Sequence, residues 1–360
     1  MKRKIKFAVL VVAIAAAVFG MTTSYGHAQK KGEQVVLAKD KFKNLKVLGD
    51  MPADQLGKVM NIFSASLNVN CNFCHYTDDF SKDGKEEKDT ARKMIAMTFA
   101  INKDNFGGET EVSCNTCHNG QMHPKSGPSL VPTEHSAGHM PRPEPPKVKP
   151  VAADVIVKFV AAVGGDKKID SAIVTATRVE PDGKTTEPET IYYKAGKYNL
   201  KTVYGKEWVT DLWNGSTAAK FSAEGAHRLH SDEAEQIKRD AQLLFPAAIG
   251  SAYSNFEYRS AGEIDGRKVL VLIATTAEGL RERLSFDEQT GLLVRRVAVT
   301  PTVLGGFVYQ VDYSDYKPFG GVKMPTVVKY AMPNMSWTRK VTKVEMDVPV
   351  ADDVFAMPKP

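Results

Sequence analysis

The sequence predicts an α + β protein of two domains, in which a small helical domain precedes a curved antiparallel β-sheet with one main helix. Apolar residues recur at helical spacing before residue 122 and alternate with period two after residue 153. Between these halves, residues 123–152 hold 8 prolines and few apolar residues, which favours an extended tether. We therefore expect a signal segment at 1–28, a first domain at 29–122, a linker at 123–152 and a second domain at 153–360.

The first 28 residues are typical of a secretory signal peptide. Basic residues up to Lys6 precede an apolar run from Phe7 to Met21, and small residues surround the expected cleavage point after Ala28. The run is short for a bilayer span, which needs about 20 residues, so an uncleaved membrane anchor is the second alternative. Export predicts a periplasmic protein that starts near Gln29.

The charge balance argues against a nucleic-acid partner. The formal net charge of the whole chain is +6, and basic residues of the signal segment account for most of it. Elsewhere Lys and Arg are interspersed with Asp and Glu, as on an ordinary solvated surface. A basic stripe of the kind that binds nucleic acid is therefore not expected.

Two amphipathic helices are predicted in the first domain. The segment 53–68 places an apolar face just after Pro52, and the segment 86–105 places another just before Gly107 and Gly108. Each predicted face includes a methionine, Met60 in the first helix and Met94 in the second.

Each helix is followed by the pentapeptide Cys-x-x-Cys-His, at 71–75 and at 114–118, and these contain all 4 cysteines of the chain. Two thiols at this spacing can add to the two vinyl groups of one haem, and the next imidazole then binds the iron as proximal ligand. The unit of helix, turn and pentapeptide is repeated. The sequence predicts two covalently attached c-type haems, with these cysteines and proximal histidines: Cys71, Cys74 and His75; Cys114, Cys117 and His118.

A structural zinc site is the alternative for two Cys-x-x-Cys pairs. The pairs are separated by 39 residues, whereas the zinc pattern expects about 15 to 20. With 8 histidines in 360 residues, a histidine after both pairs would arise by chance in about 1 of 2000 such chains. Haem attachment is therefore the favoured interpretation.

Spacing alone leaves the distal iron ligands open. A methionine at this position raises the reduction potential relative to a second histidine, because the soft thioether stabilises ferrous iron. A methionine on an apolar helix face more often fills a core, however. The candidates are Met60 and Met94, with Met97 in competition with Met94, and the histidines His123, His135 and His139.

The second domain is predicted to be built of hairpins. Apolar and polar residues alternate over 307–314 and again over 344–348. One helix interrupts the strands, since Ser231 or Asp232 can cap it and its apolar face ends before Pro246. Turn dipeptides separate the strands at Asp182-Gly183, Asn214-Gly215, Asp265-Gly266, Thr290-Gly291 and Gly320-Gly321.

The first domain resembles the cytochrome subunit of bacterial photosynthetic reaction centres. The resemblance rests on the segments 60–75, 91–102 and 114–120, and it covers roughly residues 42–120. In that family each haem has a helix with its distal methionine, a turn and the attachment pentapeptide. The resemblance implies Met60 as distal ligand to the first haem and Met94 to the second. The family's subunit holds four haems and this chain has two attachment motifs, so electron transfer is what the resemblance implies here.

The second domain is similar to the curved half-barrels of periplasmic lipoprotein carriers. The similarity rests on its hairpins, on the helix after Ser231 and on the closing run 341–355. It implies an apolar ligand on the concave face of the sheet. The alternative is a filled β-core that docks a partner or positions the haem domain.

Together these observations predict an electron carrier rather than an enzyme. The chain would be a periplasmic dihaem cytochrome that passes single electrons to or from a redox partner protein or a membrane complex. Two alternatives belong to other classes. One is a haem enzyme, such as a peroxidase or small-molecule reductase, with one open iron; the other is a haem-bearing module whose β-domain binds an apolar ligand.

Overall fold

A computed structural model describes residues 35–124, 149–165, 167–227, 229 and 231–357. The predicted signal segment and most of the predicted linker lie outside these residues. Within the first of these ranges the chain forms short and long α-helices that together build the N-terminal domain. They are α1 (Ala38–Lys41), α2 (Leu56–Leu67), α3 (Cys71–Cys74), α4 (Glu86–Asn105) and α5 (Cys114–His118).

Each of the two long N-terminal helices is followed by a residue that adopts a left-handed backbone at little energetic cost. A single 3-10 turn over Ala53–Gln55 leads into α2. Directly after α2, Asn68 has a left-handed backbone (φ 55°), and its N–H donates to the Ser64 carbonyl. Acidic residues open α4, as the helix dipole favours, and this helix ends just before Gly107 (φ 63°). The helices predicted at 53–68 and 86–105 are confirmed.

An antiparallel sheet of 13 strands dominates the rest of the described chain. Strands β1 to β6 form one meander and β7 to β13 another, and β1 pairs with β13 to join them into one curved sheet. The strands are β1 (Ser171–Val179), β2 (Thr186–Lys194), β3 (Lys197–Tyr204), β4 (Glu207–Trp213), β5 (Ala218–Ser222), β6 (Gly225–His227), β7 (Asn255–Ile264), β8 (Arg267–Thr275), β9 (Arg281–Asp287), β10 (Leu293–Thr302), β11 (Gly305–Phe319), β12 (Val322–Met332) and β13 (Met335–Met346).

The turn dipeptides connect neighbouring strands as predicted. Asp265 (φ 48°) and Gly266 (φ 75°) join β7 to β8. Positive φ at both central residues gives the two-residue turn whose twist matches that of the flanking strands. The other four dipeptides lie between β1 and β2, β4 and β5, β9 and β10, and β11 and β12.

In the ranges that the structure describes, three α-helices accompany the sheet: α6 (Ala152–Ala162), α7 (Ser231–Leu243) and α8 (Ile249–Ala252). The predicted helix is α7. The sequence interpretation missed α6, because its apolar residues form a nearly continuous run that a buried strand could also show. Phe159 of α6 is fully buried, with its ring centroid 5.3 Å from that of Phe286 in β9. In the described ranges no helix has the length and apolar character needed to cross a membrane.

Charged residues are buried between α7 and the sheet. Arg239 and Arg296 are 1% and 0% exposed. Arg296 of β10 donates to two side chains of α7, with Nη2 2.9 Å from Asp240 Oδ1 and Nη1 2.9 Å from Gln236 Oε1. Charge-assisted bonds therefore join this helix to β10 of the sheet.

Little open space lies in the cavity between α7 and the sheet. A cavity beside α7 has a volume of about 30 Å³ and is lined by Tyr198, Asp240, Tyr330 and Arg339, among others. That volume suits about one water molecule and is far smaller than an acyl chain. This cavity therefore gives the apolar-ligand alternative no support.

The hairpin between β10 and β11 reaches from the sheet into the N-terminal domain. Leu304 at its tip is fully buried in the apolar cluster that also contains Val59 and Ile95. Nearby, Lys58 Nζ of α2 lies 2.9 Å from Asp232 Oδ1 of α7, and both side chains are less than 20% exposed. An apolar tip and an ion pair therefore hold the two domains against each other.

Candidate haem attachment sites

The first pentapeptide forms the one-turn helix α3 followed by an extended residue. Cys71 and Cys74 are about one helical turn apart, so both sulfurs lie on the same side of the chain. Cys71 is exposed and Cys74 is half-buried. The backbone at His75 is extended (φ −120°, ψ 153°), and its N–H donates to Cys71 O at 3.0 Å. The turn presents two thiols and an imidazole together, as haem attachment requires.

The second pentapeptide forms α5, which is held at both ends. At its start the Ser113 N–H donates to Thr116 Oγ1 at 3.0 Å, as in a capping box. At its end the Gly120 N–H donates to the Ser66 carbonyl of α2 at 2.8 Å. Gly305 of the β10–β11 hairpin also packs here, since an added Cβ would lie 3.4 Å from Ser113 Cβ. Residues of both domains therefore contact the second pentapeptide.

Both pentapeptide histidines present the same ring nitrogen to a backbone carbonyl. His75 Nδ1 lies 2.9 Å from Phe80 O, and His118 Nδ1 lies 2.9 Å from Gln121 O. A carbonyl oxygen can only accept, so Nδ1 carries the proton of each neutral ring and Nε2 keeps its lone pair. Histidines that bind metals almost always hold their second nitrogen in this way. The two rings therefore fit the proximal position at a haem iron.

The four cysteines do not gather into a zinc site in the described part of the chain. Burial raises the pKa of the Cys114 thiol to about 11, and burial followed by the negative charge of Glu87 raises the pKa of Cys74. Among the described residues, no three His, Cys, Asp or Glu side chains converge as a metal site would require. The zinc alternative gains no support from this part of the chain.

The candidate distal methionines differ in their surroundings. Met60 is half-buried on α2, against the apolar cluster of the N-terminal domain. On α4, Met94 is 39% exposed and Met97 is 45% exposed. Met94 is therefore more exposed than Ile95 and Thr98, its neighbours on the predicted apolar face of α4. The buried residues of this helix are Lys88, Ile95, Thr98 and Asn102.

The two repeats interlock. Helix α2 packs against α5, and α4 packs against α3. Each methionine-bearing helix therefore precedes one pentapeptide and contacts the other. This arrangement brings both attachment turns into one small domain.

Asn102, which the sequence interpretation did not single out, holds the chain ahead of the second pentapeptide. Its side chain is 5% exposed. Its Nδ2 donates to Val112 O at 2.8 Å, and the Val112 N–H donates to its Oδ1 at 2.9 Å. These two bonds hold the N–H and C=O of Val112, which lies two positions before Cys114. An asparagine one turn after Thr98 on a helix face was the signal available in the sequence.

Apolar surface and open space adjoin the attachment turns. Phe80 is 55% exposed, and its ring centroid lies 5.4 Å from that of His75. A cleft of about 660 Å³ borders the first pentapeptide and is lined by Val69, Asn70, Asn72, Phe73, Gly84, Lys85, Glu86 and Glu87.

The N-terminal region matches the family model of the photosynthetic reaction centre cytochrome c subunit over residues 15–141, about a third of the chain. The protein of that name from Roseobacter denitrificans is 36% identical over 98 residues, which cover 24% of this chain and 26% of that protein. The one from Rubrivivax gelatinosus is 33% identical over 88 residues, which cover 23% of this chain and 24% of that protein. Cytochrome c-554 from Chloroflexus aurantiacus is 34% identical over 83 residues, 21% of this chain and 20% of that protein. This chain spans about a quarter of the length of the curated relatives that it matches. The resemblance of the first domain is confirmed, and this region is similar to c-type cytochromes.

Solved structures with a similar fold include a DUF1329 family protein from Desulfovibrio piger, at 15% identity, covering 58% of this chain and 98% of that one with a TM-score of 0.41. Another is the LolA superfamily protein NE2245 from Nitrosomonas europaea, at 14% identity, covering 58% of this chain and 98% of that one with a TM-score of 0.39. At these TM-scores the likeness carries no inference about ligand or function.

Proposed function

We propose that this chain is a periplasmic dihaem c-type cytochrome that carries single electrons. The observation that supports it most directly is the matching orientation of the two imidazoles, each with Nδ1 2.9 Å from a carbonyl oxygen. The similarity of the N-terminal region to c-type cytochromes supports the same cofactor. One haem is attached to Cys71 and Cys74 with His75 as proximal ligand, and the other to Cys114 and Cys117 with His118.

The proposed distal ligands are Met60 for the first haem and Met94 for the second, with Met97 as the competitor of Met94. A methionine at each iron would leave no open coordination position, which favours electron transfer over catalysis. The interlocked packing of α2 with α5 and α4 with α3 supports a short path between the haems.

We place the chain in the periplasm, exported by residues 1–28. Its partner is a redox protein or a membrane electron-transfer complex. The names of the relatives support an electron-transfer role, and the proposal does not extend to a photosynthetic reaction centre.

The haem count tests this proposal. The full chain is exported in a host that matures c-type cytochromes, and a pyridine haemochrome assay is combined with intact mass. We expect two haems per chain, and one haem in each of the double variants Cys71→Ala/Cys74→Ala and Cys114→Ala/Cys117→Ala. A colourless product with the mass of the polypeptide alone would overturn the proposal.

A further inference from the structure

The carbonyl oxygen of Phe80 accepts two hydrogen bonds from side chains. His75 Nδ1 lies 2.9 Å from this oxygen, and Lys88 Nζ lies 3.1 Å from it. Lys88 belongs to α4, whereas His75 and Phe80 belong to the loop that precedes this helix. One backbone atom therefore links a candidate iron ligand to a cation.

Lys88 is positioned as an ammonium group. It is only 8% exposed, and it also donates to Ser81 O at 3.1 Å and to Lys82 O at 2.9 Å. Three carbonyl acceptors use all three donors of an ammonium. Its position is therefore fixed by the loop rather than by solvent.

The charge of Lys88 is only partly offset by a neighbouring carboxylate. Asp83 Oδ1 lies 3.4 Å from Lys88 Nζ, but the same carboxylate also pairs with Arg92 at 2.8 Å and with Lys46 at 3.1 Å. One carboxylate is thus shared by three cations, of which Arg92 also pairs with Asp89 at 2.7 Å. Within the described ranges, Lys88 pairs with no carboxylate besides Asp83.

The second pentapeptide lacks this feature among the described residues. His118 Nδ1 donates to Gln121 O, and no lysine or arginine nitrogen of the described ranges forms a hydrogen bond with that oxygen. Among the described residues, the two proximal histidines therefore share one geometry and differ in whether a cation bonds to the same carbonyl.

We propose that Lys88 is a positioning residue that raises the reduction potential of the haem held by His75, relative to the haem held by His118. The inference rests on the proposed function, in which both histidines bind iron. A strong hydrogen bond from Nδ1 makes an imidazole more basic and so stabilises ferric iron. Because Lys88 draws on the same carbonyl oxygen, it weakens that hydrogen bond. Its positive charge also disfavours the more positive ferric state.

The test measures both reduction potentials by spectroelectrochemical titration of the two-haem protein. The two potentials are assigned with the double variants Cys71→Ala/Cys74→Ala and Cys114→Ala/Cys117→Ala, which each keep one haem. In Lys88→Met we expect the ferric-to-ferrous equilibrium of the His75 haem to shift about tenfold toward ferric, a fall of about 59 mV. The potential of the His118 haem should stay unchanged and serves as the internal reference.

Further variants separate charge from structure. Lys88→Gln keeps a neutral donor and is expected to lower the same potential, which keeps the test valid if Lys88→Met does not fold. Lys88→Arg keeps the cation and should retain the original potential. Lys93→Met removes an exposed cation of the same helix and should change neither value.

Three results would overturn the inference while leaving the proposed function intact. They are two haems with both potentials unchanged in the Lys88 variants, an equal fall at both haems, and a fall in Lys88→Arg as large as in Lys88→Met. Absence of haem from the unmodified protein would instead overturn the proposed function.

Discussion

At the scale of single residues, the properties of each proposed haem depend on its ligands and on the groups that hold them. His75 and His118 make Nδ1 hydrogen bonds of the same length to a backbone carbonyl. Differences between the two sites must therefore come from the distal side and from groups that act on these carbonyls, such as Lys88. The distal candidates already differ, since Met60 is half-buried and Met94 is 39% exposed.

Replacing Met60 or Met94 by alanine, each separately, is expected to lower one reduction potential per variant, because each loses a thioether that stabilises ferrous iron. Spectroelectrochemical titration measures the potentials, and each variant should lose one methionine-to-iron charge-transfer band of the ferric protein. Met97→Ala is the control: a shift there, with none in Met94→Ala, would transfer the assignment to Met97. A high-spin signal from the unmodified protein would support the enzyme alternative.

Asp83 gives the N-terminal domain a pH-dependent stability. Hydrogen bonds from Arg92, then Lys46 and Asn44, hold the pKa of the Asp83 carboxyl well below its usual range. In the unfolded protein the pKa of an aspartate is about 3.9. Because the pKa of Asp83 is lower in the folded protein, its ionised carboxyl stabilises the fold above that pH, and this stability is lost as the pH falls through the folded-state pKa. Asp83→Asn should therefore destabilise the protein at pH 7, with the difference from wild type shrinking below about pH 4.

Urea denaturation of wild type and variant at pH 7 and below about pH 4 checks this expectation. The matched control is Asp50→Asn, which removes an ion pair with Lys39 from an aspartate that is 87% exposed and should have little effect. A difference that stayed constant from pH 7 down to strongly acidic conditions would contradict the role given to Asp83.

At the scale of elements, the β10–β11 hairpin belongs to two cores at once. Its strands pair within the sheet, and Leu304 at its tip lies in the apolar cluster of the N-terminal domain. A small domain of short helices has little apolar area to bury by itself. The hairpin therefore adds to the core of a domain that lies far away in sequence.

Leu304→Ala should destabilise the N-terminal domain by about 2–5 kcal/mol, the usual cost of truncating a buried leucine. Urea unfolding is followed by haem absorbance for this domain and by tryptophan fluorescence for the sheet, which contains Trp208, Trp213 and Trp337. Val308→Ala, at a position of β11 that is 37% exposed, should stay within about 0.5 kcal/mol. A haem transition that did not move in Leu304→Ala would show that the hairpin is not part of this core.

At the scale of the whole molecule, a buried ionic network holds α7 on the sheet, and α7 in turn contacts the N-terminal domain. Arg296 bonds to Asp240 and Gln236 of this helix, and Asp232 near its start pairs with Lys58 of α2. A buried ion pair is costly to break, because the remaining partner is left uncompensated in a low dielectric. The network therefore fixes the position of the helix that bridges the domains.

Arg296→Met is expected to lower the free energy of unfolding by about 3–5 kcal/mol, because it removes the charge that faces Asp240 and the buried carboxylate of Glu282. The adjacent residue provides the control: Arg295 pairs with Asp312, and both side chains are about one quarter exposed, so Arg295→Met should cost at most about 1 kcal/mol. Chemical denaturation of both variants measures the difference. Equal losses would mean that burial does not set the strength of the Arg296 interaction.

The sequence alone determined the features that depend on residues close together in the chain. Cysteine and histidine spacing predicted the two candidate attachment turns, helical periodicity located α2 and α4, and five turn dipeptides marked hairpins. These signals are local because thioether attachment, helix faces and tight turns each involve only a few consecutive residues.

Only the tertiary structure decided which distant residues meet. Leu304 lies in the core with Val59, Arg296 bonds to Asp240, and Lys88 shares the Phe80 carbonyl with His75. Nothing in the spacing of these residues marks the contacts, because a polar side chain has the same sequence signature whether it faces water or a buried partner. The positions of the helices on one another and on the sheet, set by the packing of the whole chain, determine that choice.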